Sequence, residues 1–187
     1  METEYGTEMA DAEAEAYLRE QGHGVLSLSR DGVAYGIPIS FGYDPDERRC
    51  VLQFVSAPES DKEAFVAETT TATLTVYDWE SPDEWRSVVV SGPIEPIRDA
   101  DLVEAADVFA ETGAAIGLTV FGRSLAELAT NWYQLRIAEA SARKAPRSAE
   151  WRESRDDASF RHNLYMCRIA YVPVCHGPHW SETSPRC

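Results

Sequence analysis

Apolar and polar residues alternate through much of the first hundred positions, which is the period of half-buried strands. Gly24 to Ser29 (GVLSLS) reads as one strand, Arg30-Asp31-Gly32 supplies a hairpin turn, and Val33 to Tyr43 is the second strand. Pro38 lies inside that second strand. Proline cannot donate to a ladder, so an edge, a bulge or a ligand-facing break is expected there. Asp44-Pro45-Asp46-Glu47 turns the chain into a third strand, Cys50 to Val55. Ala72 to Tyr77 is the fourth, Asp78 to Glu84 a polar excursion, and Trp85 to Ile97 the fifth, broken near Gly92-Pro93. Trp132 to Ala140 is expected as the final strand.

Helical segments interrupt these strands. Residues 8–21 are rich in helix formers and end at Gly22, a plausible C-cap. Ser60 with Glu63 three positions on spells a capping box for a helix over 60–68. Asp99 to Thr112 carries apolar residues at Leu102, Val103, Ala106 and Phe109, the spacing of one helix face. Residues 114–130 read as a loop followed by a short helix at Ser124 to Ala129. Short strands in hairpin connection with a few helices predict a mainly β fold with α decoration, a small antiparallel barrel.

Charge then narrows the partners. With 32 Asp and Glu against 17 Lys and Arg, the 187-residue chain carries a net charge of −15. Such a field repels nucleic acid and anionic membrane, and a solvated acidic coat of the kind halophilic proteins carry accounts for it. No run reaches the roughly 18 apolar residues of a membrane span. The start, METEYGTEMADAEAEAY, has neither a basic nor an apolar region, so a cytoplasmic protein without a secretory signal is expected. From Arg143 to Cys187 the balance reverses, with eight Lys and Arg against five Asp and Glu. We therefore expect a domain over 1–142 and an atypical tail over 143–187, an extension, a disordered end or a reading-frame change. The tail holds Cys167, Cys175 and Cys187, with His176 and His179 beside the second. Their spacing matches no closed zinc pattern and contains no CxxC knuckle, so no metal site is expected. Cys50 reads as a small buried hydrophobe.

The candidate chemistry gathers where the third strand ends. Ser56 closes that strand, and Lys62 stands in the first turn of the next helix. A cation there opposes the helix dipole unless an anion is present. A phosphate would combine the Ser56 and Ser60 hydroxyls, free backbone N–H groups and the lysine charge. Pairing of Lys62 with Asp61 or Glu63 in solvent explains the same residues. His23, between Gly22 and Gly24, reads as a surface residue at a helix stop, and Trp79, Trp85 and Trp132 as strand aromatics of the core. Nucleotide-binding glycine fingerprints, GxSxG and HExxH are absent.

YGIPISFGYD, LQFVSAPESDKEAFV, LTVYDWES and WRSVVVSGPIEPI together resemble the pyridoxamine 5′-phosphate oxidase-related FMN-binding split-barrel proteins, nearest their Nim-type, nitroimidazole-resistance-like branch. The resemblance runs from about Gly24 to Ile97, with weaker support to Ala140. It implies a split β-barrel homodimer with FMN at the subunit interface. Ser56 and Lys62 match the phosphate-holding hydroxyl and lysine. Tyr35, Gly36, Ile37, Pro38 and Ile39 match the strand whose backbone lines the isoalloxazine edge, and Ser87 matches a polar residue near the ring. The oxidases carry arginines where this chain has Tyr35 and Asp61, and Nim-type proteins often carry histidine where it has Val55. The basic signature that binds pyridoxamine phosphate is missing. These departures favour FMN binding over that particular oxidation. The implied function is an FMN-dependent oxidoreductase of unknown small-molecule substrate. A non-catalytic flavin, deazaflavin or haem binder, or a structural dimer with a decayed site, is the alternative.

Overall fold

The computed structural model describes residues 6–56, 60–113 and 129–146. The chain divides into two units, Met1–Pro146 and Arg147–Cys187, and the described residues all belong to the first. The expected short helix at 124–129 and the tail at 143–187 lie outside them, apart from Ala129 and residues 143–146.

In chain order the elements are β1 (Thr7–Glu8), α1 (Asp11–Gln21), β2 (His23–Arg30), β3 (Val33–Asp44), β4 (Arg49–Ser56), α2 (Lys62–Glu68), β5 (Ala72–Ser81), β6 (Glu84–Gly92), β7 (Ile94–Pro96), α3 (Leu102–Thr112), β8 (Ala129–Arg136) and β9 (Glu139–Lys144). A 3-10 turn at Asp99–Asp101 leads into α3. Every strand pair is antiparallel, in the order β1-β9-β6-β5-β2-β3-β4-β8-β7.

Local chemistry sets the turns. Asp31 (φ 51°) and Gly32 (φ 77°) both take left-handed backbone between the paired Arg30 and Val33, as a tight two-residue hairpin demands. At the C-terminus of α1, Gly22 adopts φ 57° and its N–H bonds back to Leu18. Asp44 Oδ1 accepts from the N–H groups of Asp46 and Glu47, which folds the β3–β4 turn.

β3 is where the sheet divides. Its residues 33–40 pair with β2, whereas Phe41–Asp44 pair with β4. Beyond Leu52, β4 stays paired to β8 alone. The outer edge of β3 over 33–40 therefore has no strand partner among the described residues, and Pro38 sits on this half-free stretch at no cost to a second ladder. The core fills the space between the two parts of the sheet with Leu26, Leu28, Phe41, Leu52, Phe54, Leu74, Val76, Val88, Val90 and Leu135, and Tyr17 of α1 joins it.

Three expectations change. The supposed polar excursion at 78–84 is a hairpin: β5 continues to Ser81 and returns through Glu84 opposite it. The single strand expected at 132–140 is two, because the chain bends at Ile137 and Ala138, whose N–H groups bond to Arg48 O and Ser91 O. The second of these strands runs through Ala142 to Lys144. Trp79, expected in the core, is 60% exposed.

Candidate functional site

The end of β4 and the start of α2 meet as expected, yet their side chains are arranged differently. α2 begins at Lys62 with Asp61 as its N-cap residue and no side-chain cap. Ser60 Oγ accepts from the Lys62 N–H at 3.3 Å, but Glu63 does not close a capping box. Its carboxylate turns to the sheet. Oε1 accepts from Ser56 Oγ at 3.1 Å and Asn131 Nδ2 at 3.0 Å, while Oε2 accepts from Tyr133 OH at 2.8 Å. Partners 68 and 70 residues away outcompete the local N–H, since three donors satisfy a carboxylate better than one.

Lys62 is half-buried, and its Nζ donates to Val55 O at 3.2 Å, next to Ser56 in the chain. Ser56 itself is buried. The expected pair of a hydroxyl and a lysine is thus brought to one corner, with the Glu63 carboxylate beside it. Burial first, then the hydrogen bond to Glu63 and its charge, push the Tyr133 phenol far above its ordinary value. That phenol stays a proton donor throughout the physiological range.

α2 is fixed over the divided sheet by two contacts. Phe65 stacks on Tyr35 of β3 with ring centroids 4.6 Å apart, and the Arg30 guanidinium lies 5.4 Å from the Phe65 centroid. Thr69, just past the helix, accepts from Ser29 N–H and lies within donating distance of Ser29 O and Phe65 O. β5 pairs with β2 only over 25–27, so Thr69 satisfies backbone groups that a strand would otherwise take.

The five β3 residues divide by face. Ile37 and Ile39 are buried in the core and Tyr35 packs under α2, whereas Gly36 and Pro38 are exposed on the opposite face. Ser87 of β6 shares that second face: it pairs with Tyr77, two positions from the row Pro38, Val25, Thr75 and Val89. Two strands, β5 and β2, separate Ser87 from β3, so one protomer does not bring it to Ser56 and Lys62. Tyr77 (59% exposed), Trp79 and Val89 make this face apolar.

A groove of about 640 Å³ lies elsewhere, at the opposite end of the β4–β8 ladder. Sequence reasoning gave no sign of it. Its lining includes the buried Arg49, which donates to Asp44, Gln134 and Glu104 at 2.9, 3.1 and 2.7 Å. Arg98 and Arg136 there pair with Asp101 and Glu95. Each arginine has its carboxylate, so the groove reads as a structural network. His23 is exposed, with its ring Nδ1 2.6 Å from Gln21 O, as expected of a surface residue. Among the described residues no cluster of His, Cys, Asp and Glu could hold a metal ion, and no helix is long and apolar enough to cross a membrane.

A family model described as pyridoxamine 5′-phosphate oxidase matches residues 10–144. No match is found among curated proteins. Among solved structures, an FAD-binding protein from Mesorhizobium loti is 18% identical with a TM-score of 0.59, covering 76% of this chain and 99% of that one. An FAD- and haem-binding protein from Mycobacterium smegmatis is 21% identical with a TM-score of 0.53, covering 79% and 78%. A protein assigned to 5-nitroimidazole antibiotic resistance, from Bacteroides thetaiotaomicron, is 15% identical with a TM-score of 0.50, covering 76% and 93%. At these identities the likeness establishes the fold, the split barrel that the family resemblance implied.

Proposed function

Because the chain belongs to the pyridoxamine 5′-phosphate oxidase family, we propose that it binds a flavin, specifically FMN, and serves as an FMN-dependent oxidoreductase for a small molecule. The observation that carries this reading is the corner itself. Ser56 and the Lys62 ammonium sit together beside the half-free edge of β3, whose residues 33–39 have no second strand among the described residues. A hydroxyl and a cation suit a phosphate, and an open backbone edge suits the polar rim of an isoalloxazine. One feature of the corner opposes an anion, the Glu63 carboxylate on the Ser56 hydroxyl.

In this reading Ser56 and Lys62 hold the phosphate, and the backbone of Tyr35, Gly36, Ile37, Pro38 and Ile39 lines the ring. Ser87 approaches the ring from a second copy of the chain. The apolar face bearing Tyr77 and Trp79 supports such a homodimer. Bound flavin would supply the electron or hydride transfer, and the protein orients it and excludes water. Binding by relatives supports the cofactor class, since the Mesorhizobium and Mycobacterium proteins bind FAD by name, the second together with haem.

Titration of the purified protein with FMN, FAD and riboflavin tests the reading. FMN is expected to bind most tightly, with flavin absorbance near about 450 nm. Bleaching of that band by NADH or NADPH supports an oxidoreductase over a storage protein. Failure to take up any of the three flavins overturns the proposal.

A further inference from the structure

Glu63 receives three donors from two different strands. Ser56 Oγ comes from β4, and Asn131 Nδ2 and Tyr133 OH come from β8. Each of the three donors is electrically neutral. A hydroxyl, an amide and a phenol converging on one oxyanion form a receptor for any oxyanion of suitable size. Here the receptor is filled by the chain's own carboxylate.

Resting on the FMN reading above, we propose that Glu63 is a built-in competitor for the cofactor's phosphate, so that phosphate binding is an exchange of one anion for another at Ser56, Asn131 and Tyr133. The single Ser56 hydroxyl proton points to Glu63 Oε1, so a phosphate oxygen at Ser56 has to take that proton's direction from the carboxylate. Two anions side by side at a partly buried corner also repel. When Glu63 swings away, its three donors become available together, close to where Lys62 Nζ holds Val55 O. Glu63 therefore sets how strongly the protein separates FMN from riboflavin, which differs only by lacking the phosphate. It acts on the phosphate's donors and does not touch the ring.

The test compares dissociation constants for FMN and riboflavin, read from quenching of flavin fluorescence, in the wild type, Glu63→Gln, Glu63→Ala and Glu68→Gln. Glu68→Gln removes the same charge from the other end of the same helix, where Glu68 pairs with Arg30. Removing the competing carboxylate should tighten FMN by about tenfold or more in both position-63 variants, the size of one charge-assisted hydrogen bond. Riboflavin affinity should not change, and Glu68→Gln should leave both flavins as in the wild type. Glu63→Gln keeps one uncharged acceptor oxygen at the place where Ser56 and Asn131 donate and turns an N–H toward the Tyr133 hydroxyl oxygen, and thermal melting checks that it folds. Equal shifts for FMN and riboflavin, no shift at all, or the same tightening in Glu68→Gln overturns the exchange. If the wild type still prefers FMN over riboflavin in those cases, the FMN reading stands without it. Absence of FMN binding in every form overturns both.

Discussion

Thr69→Val changes one hydroxyl into a methyl, and the structure says what that costs. Thr69 is buried, and its Oγ1 accepts from Ser29 N–H at 3.0 Å. The same oxygen lies 3.1 Å from Ser29 O and 2.7 Å from Phe65 O, so its proton is shared between two carbonyls. Valine fills the same volume, which leaves the packing intact and isolates the polar loss. One neutral hydrogen bond is worth about 1 kcal/mol, and leaving the Ser29 N–H unsatisfied adds about 1 kcal/mol or more. A total near 2 kcal/mol lowers a urea midpoint by about 1 M at a slope of about 2 kcal/mol per M. Thr69→Ser keeps the hydroxyl and should lose much less. Hydrogen exchange should quicken first in Lys62–Glu68, because Thr69 ties the end of α2 to β2. A Thr69→Val midpoint within about 0.2 M of the wild type, at an unchanged slope, would refute the reasoning.

Arg49→Met leaves the Asp44 carboxylate buried without its guanidinium, and urea unfolding should show a loss of about 3 kcal/mol. A Cβ on Gly42 would stand 2.6 Å from Phe109 Cα and Val108 O, both backbone of α3. Gly42→Ala should therefore cost about 1–3 kcal/mol in the same assay as α3 is pushed from β3. Lys62→Ala should weaken FMN binding by about tenfold or more in a fluorescence titration while sparing riboflavin, the loss expected of a charged phosphate partner. The Tyr17 and Tyr43 phenols are pushed from 10.0 up to about 12, chiefly by burial. In the unfolded chain they ionise near 10, so their contribution is complete below pH 10 and is lost as pH rises toward 12. Thermal melts taken across that range should show a falling midpoint.

Features that depend on neighbours in the chain could be read directly from the sequence. Asp31-Gly32 closes a hairpin because of its own backbone preferences, Gly22 stops α1 for the same reason, and Pro38 marks a strand stretch paired on one side only. Features decided by distant partners could not. Glu63 three residues after Ser60 has the form of a capping box, but its carboxylate goes to Asn131 and Tyr133. The bend between β8 and β9 depends on Ser91 O and Arg48 O. The exposed Trp79 extends β5 on an apolar face, and periodicity does not reveal which face of a strand lacks a covering layer. For the site, the Ser56 and Lys62 corner was legible from spacing, while the third member of that corner was not. Ser87 stands on β6, two strands away from β3, so it belongs to the corner only in the proposed dimer.

The most direct test of the central claim is the identity and amount of flavin bound by the purified chain after incubation with an equal mixture of FMN, FAD and riboflavin. Flavin released by denaturation would be separated and quantified against the protein. The account predicts FMN in a stoichiometric amount, with little of the other two. Protein that retains no flavin, or that retains riboflavin as readily as FMN, would contradict it.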